Sequence, residues 1–127
     1  MLADIVRSLA GGIEKQGHDV TVIDARREIG KTLTSFAYIA VGSVSPSLFS
    51  KSVPESLGAF LRYAGHISGK RCYAFVVNKG LRKGRVLSSL MKLMESEGMY
   101  LKKSDVLANA AEAEAVGSRL HIEKTVN

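Results

Sequence analysis

Tyr38-Ile-Ala-Val-Gly-Ser-Val-Ser-Pro-Ser-Leu-Phe49, running on to Pro54 and Phe60, is the stretch that decides the fold. A short apolar run, Tyr38 to Val41, stops at Gly42-Ser43, and a loop of small and hydroxyl residues follows. Pro54 suits the first turn of a helix, with Ser52 as the expected cap, and Leu57, Phe60, Leu61 and Ala64 recur at helical spacing up to Gly65. Strand, polar loop, helix is the arrangement that places ligands at the carboxyl end of a parallel sheet.

The segments on either side repeat the alternation. Leu2, Ile5, Val6, Leu9 and Ile13 mark one face of a helix from Met1 to Gln16, closed by Gly17. His18 to Asp24 reads as a strand through Val20, Val22 and Ile23. Ala25 to Lys31 is a polar connection, with Leu33 and Phe36 expected to pack beneath it. Lys70 and Arg71 lead into the buried strand Cys72–Val77, and the loop from Asn78 to Gly84 precedes a helix from Arg85 to Glu97, with Gly98 as its cap. Met99 to Leu107 carries a weaker strand signal interrupted by Lys102, Lys103 and Asp105. Ala108 to Leu120 favours helix, although Gly117 weakens its middle, and His121 to Asn127 has no pattern. Strands alternating with helices imply right-handed crossovers, hence an α/β doubly wound domain whose mostly parallel sheet is covered on both faces.

The 127 residues fit a single domain spanning 1–127. A hydrophobic fraction of 46% with 24% charged residues argues against disorder. The single cysteine, Cys72, excludes an internal disulfide and is expected to be a core residue, which suits a reducing, cytoplasmic setting. No apolar run approaches the ~18–20 residues needed to span a bilayer, so no membrane role is expected. Net charge is +6, which favours anionic partners. His18, His66 and His121 are isolated from one another in the sequence, and no Walker, dinucleotide or nucleophile-elbow motif occurs.

Taken in order, Leu2-Ala-Asp-Ile-Val with Gly17 to Asp24, Tyr38 to Ser43 with Phe49, and Lys70 to Val77 with the loop to Gly84 resemble the flavodoxin family over nearly the whole chain. The resemblance implies a flavodoxin-like three-layer sandwich, binding of FMN, and electron transfer to a redox partner protein. It places the flavin between two loops: Gly42, Ser43, Val44, Ser45, Pro46 and Phe49 on one side, Asn78, Lys79, Gly80 and Arg82 on the other. Phe49 would stack on the ring, while Tyr38 stands at the far end of its strand. In the family, a central first strand and a Ser/Thr-rich phosphate loop precede the first helix, whereas this sequence opens inside that helix. The reading therefore expects the first strand to be missing, through a shortened chain or a start assigned too far downstream. It also expects either a gap in the sheet or direct pairing of Asp19–Ile23 with Tyr38–Val41, and a homo-oligomer formed through the incomplete sheet.

The second loop departs from the family in charge. Lys79, Arg82, Lys83 and Arg85 put four cations in seven residues beside a helix amino terminus, where positive charge is unfavourable without an anion. Arg26 and Arg27 are expected to extend this rim, and Lys102 and Lys103 to form a solvated edge. Two alternatives stand beside flavin binding: a scaffold that has lost its flavin, and a binder of an anionic metabolite or nucleotide at Lys79, Arg82 and Lys83. Nucleic acid is disfavoured, since neither an aromatic platform nor a reading helix is evident.

Overall fold

A computed structural model describes residues 1–123. In chain order its elements are α1 (Leu2–Glu14), β1 (Tyr38–Ser43), α2 (Glu55–Arg62), β2 (Arg71–Val77), α3 (Lys83–Ser96), β3 (Tyr100–Leu107) and α4 (Ala110–Arg119). The three strands form one parallel sheet in the order β1-β2-β3. From Cys72 to Val77 every residue of β2 is buried, which is why this strand reads as an unbroken apolar run.

The alternation of β2 builds two cores. Cys72, Ala74 and Val76 face one side of the sheet, where they meet Leu57, Phe60 and Leu61 of α2 and Val86, Leu90 and Met94 of α3. Tyr73, Phe75 and Val77 face the other, against Ile5, Leu9 and Ile13 of α1 and Ala113 of α4. Helices thus cover both faces, and the expected three-layer α/β sandwich is what forms.

The strand expected over His18–Asp24 is not there. No ladder bond joins these residues to β1, so the direct pairing of Asp19–Ile23 with Tyr38–Val41 does not form, and the sheet among the described residues has three strands, not four. Val20 packs against the core on the α1 side and Ile23 against the core on the α2 side, while Val22 remains 56% exposed. The segment is extended and anchored by side chains. The apolar pattern was real, but a strand also requires a neighbouring backbone to pair with. The outer edge of β1 is consequently open.

Several boundaries move for local reasons. α1 ends at Glu14, and Gly17 takes φ +95° in the closing turn. Ser52 does not cap α2; its N-cap is Pro54, whose side chain offers no hydrogen bond. α3 starts at Lys83, two residues before the expected Arg85, and Gly98 at φ +82° follows its end. Asn109 caps α4 by accepting from the Glu112 N–H at 2.9 Å. The register of β3 slips between the partners of Cys72 and Tyr73, leaving Lys102 as an extra residue. That bulge explains why two successive lysines, 102 and 103, both reach solvent from one strand. His121 to Glu123 carry no regular structure, and the rest of the patternless tail lies outside the described residues.

Gly117, which weakens the α4 pattern in sequence, has a packing reason. α1 and α4 cross so closely that a Cβ on Gly117 would meet the Ile13 nitrogen at 3.1 Å and the Gly12 Cα at 3.2 Å. A Cβ on Gly12 would meet the Ser118 nitrogen at 2.8 Å and collide with the Glu114 carbonyl oxygen. Gly11, one residue away, faces open space. Gly12→Ala and Gly117→Ala are each expected to cost about 1–3 kcal/mol by forcing the helices apart. Gly11→Ala should instead stabilise by about 0.5–1 kcal/mol, because it removes only the entropic cost of glycine in a helix. Urea unfolding of the three variants checks the pair; equal effects at Gly11 and Gly12 would refute the close crossing.

Candidate functional site

The loops that follow β1 and β2 lie side by side at the carboxyl end of the sheet, because parallel neighbours end together. β1 runs to Ser43, so Gly42 and Ser43 belong to the strand and the loop proper starts at Val44. Gly42 lies directly under the Phe75 ring, where any side chain would collide with it. The absence of a Cβ there makes room for a core aromatic, which in turn stacks on Tyr73 with ring centroids 5.6 Å apart.

Two hydrogen bonds join the loops. The buried Ser45 hydroxyl donates to the Lys79 carbonyl at 3.1 Å, and the Leu81 N–H donates to the Leu48 carbonyl at 3.0 Å. Ser47 and Ser50 close the tip of the first loop through their hydroxyls at 2.8 Å, and the Ser47 N–H donates to Ser50 Oγ at 2.9 Å. Farther along, the Val53 N–H donates to Ser89 Oγ of α3 at 3.3 Å. On the other loop, the Asn78 N–H donates to the Leu107 carbonyl at 2.9 Å, tying it to β3. Gly80 turns the chain at φ +89°, a conformation that favours glycine, and its Cα faces Ser45.

The sequence-predicted site residues therefore divide. Gly42, Ser43 and Ser45 are engaged by the protein itself: Gly42 beneath Phe75, Ser43 through a long 3.4 Å bond to the Val44 carbonyl, Ser45 through Lys79. Val44 is half-buried and packs against the α1-side core. Pro46, Phe49, Asn78, Lys79 and Arg82 are exposed at the mouth, with Gly80 half-buried between them. Phe49 is 64% exposed. Sequence reasoning missed Leu48 and Leu81, exposed at 56% and 67%; the Leu81–Leu48 backbone bond brings Leu81 to the turn that carries Leu48 and Phe49. Nothing in their spacing marks them, since the bond joins loops far apart in sequence.

The charge at the mouth is one-sided. Among the described residues none of Lys79, Arg82, Lys83 or Arg85 takes part in an ion pair. α3 has no acidic residue in its first turn and no side-chain cap. Arg26 and Arg27 instead pair with Asp24, at 3.9 and 3.7 Å, in the turn after the unpaired segment. Lys103 pairs with Asp105 at 3.4 Å, and Lys102 lies 4.9 Å over the Tyr100 ring. Both are exposed on β3, as expected for a solvated edge.

The two loops, residues 44–53 and 78–82, contain no histidine, cysteine, tyrosine or carboxylate. Burial pushes the Cys72 thiol up to about 11 and the Tyr38 phenol up to about 12, with smaller contributions from Glu95 and from Cys72 respectively. Both lie in the sheet, Cys72 fully buried on the α2 side and Tyr38 at the start of β1, remote from the loops. Tyr73 is raised further still, by burial and then by donating to Asp105 at 2.9 Å. Among the described residues no group of His, Cys, Asp and Glu is arranged to hold a metal, and no helix is long and apolar enough to cross a membrane. A concavity of about 320 Å³ opens at the amino end of the sheet, lined by Tyr38, Lys102, Lys103, Val116, Arg119 and neighbouring residues. It is walled by Lys102, Lys103 and Arg119 and lies at the opposite end of the sheet from the hydrogen-bonded loop pair.

No protein-family model matches the chain, and no curated protein matches it. Among solved structures it is similar to one described as a flavodoxin from the domain Archaea, with 17% identity over 91% of this chain and 85% of that one, at a TM-score of 0.66. The chain thus has a flavodoxin-like α/β fold, in agreement with the resemblance seen in its sequence.

The hinge between the loops is testable. Gly80→Ala places a Cβ in the left-handed region and 3.0 Å from Ser45 Oγ. It is expected to cost about 1–2 kcal/mol, seen as a lowered Tm and as faster proteolysis confined to the two loops. A Tm equal to wild type would show that the loops are not held together in this way.

Proposed function

We propose that the chain binds FMN at the paired loops and passes electrons through it to a partner protein. The observation that carries this reading is the pinned loop pair at the carboxyl end of adjacent parallel strands, presenting an exposed Phe49, in a fold similar to a flavodoxin. The ring half of the ligand suits the residues present. Phe49 offers an aromatic face, and the Gly80 N–H and the exposed Asn78 side-chain amide, neither of which bonds to a described residue, offer polar groups to the ring edge. For the phosphate, Lys79, Arg82 and Lys83 supply positive charge free of ion pairs to described carboxylates.

Bound flavin supplies the one- and two-electron chemistry; the protein supplies binding and potential. Phe49 shields one ring face from water. The cations favour the negatively charged reduced form, so the potential is expected to lie higher than an acidic mouth would set it. Titration of the purified protein with FMN, followed by visible absorption and flavin fluorescence, is the decisive experiment. Saturable quenching, lost in Phe49→Ser, is expected. Absence of any binding at high micromolar FMN would leave the chain as a flavin-free member of the fold, or as a binder of another anion.

We also propose that the chain self-associates through the outer edge of β1. The edge from Tyr38 to Ser43 has no strand beside it, and Ala40 at its middle is exposed. Sedimentation at micromolar concentration should report a dimer, and Ala40→Lys should convert it to a monomer of unchanged Tm by placing a charge on the edge. A wild-type monomer would refute the pairing.

A further inference from the structure

Three of the large apolar side chains that stand exposed, Leu48, Phe49 and Leu81, are neighbours at the mouth. Around them lie Lys51, Lys79, Arg82, Lys83 and Arg85, with no ion pair to any described residue. The two stretches that build this surface contain no carboxylate: from Ser43 the first acid is Glu55, and from Asn78 the first is Glu95. Elsewhere some cations pair, Lys15 with Glu114, Lys31 with Glu28 at 3.3 Å and Arg71 with Glu123 at 2.6 Å, while Arg62, Lys70, Lys92, Lys102 and Arg119 make no ion pair to a described residue either. What sets the loop pair apart is the combination: unpaired cations close together, exposed Leu48, Phe49 and Leu81 among them, and no carboxylate in either stretch.

We infer that this surface docks an acidic protein segment that presents apolar side chains between its carboxylates. Charge complementarity selects the partner: the ring attracts carboxylates at a distance, and Leu48, Phe49 and Leu81 bury against the partner's apolar groups once it arrives. Aromatic and arginine side chains together are the usual energetic centre of such contacts. The bonds from Ser45 to Lys79 and from Leu81 to Leu48 fix the loops beforehand, which reduces the ordering cost of association. The same features fit other polyanions less well. Single-stranded nucleic acid needs successive stacking platforms, and Phe49 is the only aromatic residue in either stretch. A membrane surface is typically met by a long amphipathic helix, whereas these apolar groups sit on a tight hydrogen-bonded turn.

The inference deepens the flavin reading, since it names the partner class for the same mouth, and its test separates the two. A dye-labelled synthetic peptide alternating glutamate with leucine and phenylalanine is titrated by anisotropy, with and without FMN. Comparators are a polyglutamate peptide of equal charge, phosphatidylserine vesicles and a single-stranded RNA. Binding of the alternating peptide is expected to weaken about tenfold in Arg82→Glu/Lys83→Glu and several-fold in Leu81→Ser, and to fall with added salt. Leu81 and Arg82 are exposed and Lys83 is half-buried at the start of α3, where acidic residues suit the helix dipole, so neither variant should lower the Tm. Equal binding of polyglutamate, tighter binding to vesicles or RNA, or indifference to both variants would overturn the docking surface. Peptide binding that persists in protein unable to bind FMN would overturn the flavin reading alone.

Discussion

Burial of β2 on both faces is the constraint on which the rest depends. From Cys72 to Val77 no side chain reaches solvent, so each face of the strand must be roofed by helices, and the crossovers that carry the helices keep the sheet parallel. Parallel strands end at a common edge. The loops after β1 and β2 are therefore brought together by the same requirement that builds the core, and Ser45 and Leu81 only have to fasten what the sheet already aligns. The packing also reaches the site directly. Phe75 projects from β2 over Gly42, one turn of the pleat before the first loop begins, so the position of that loop depends on an aromatic ring in the α1-side core.

The second face is held differently from the first. On the α2 side, branched and long side chains of two helices interdigitate with β1 and β2. On the α1 side, two helices that are not adjacent in sequence approach through paired glycines, and Gln16 donates to the carbonyls of Gly117 and Leu120 at 2.7 and 2.9 Å. Backbone-close crossings leave no volume to readjust, which makes Gly12 and Gly117 less forgiving than the larger residues opposite.

The fold was legible in the sequence wherever a segment's fate depended on its own pattern. The unbroken run at Cys72–Val77, the apolar stripes of α1 and α3, and the glycines 17, 65 and 98 at turns all say what they become. What failed was whatever depended on a neighbour. Val20, Val22 and Ile23 have strand character, but no backbone lies in position to pair with them. Gly117 looks like a defect in α4 until Gly12 is placed against it, and Lys102-Lys103 looks like a broken strand until the register of β2 shows the bulge. The site follows the same rule. Exposed Phe49 and the cations were found from the sequence alone, whereas the inward engagement of Gly42, Ser43 and Ser45 required knowledge of Phe75 and Lys79.

The unbalanced charge at the mouth is the feature with least to do with folding. Positive charge at the start of α3 opposes the helix dipole, and four cations within seven residues repel one another. The molecule neutralises several other cations with carboxylates, including Asp24, Glu28, Asp105, Glu114 and Glu123, so the means to do the same here exist. Leaving the mouth basic costs stability where the loops after β1 and β2 meet. That cost makes sense if the compensating negative charge comes from outside the chain. A flavin phosphate would meet part of the need and an acidic partner the rest, and both would be met by the same residues because the sheet gives the chain one carboxyl edge.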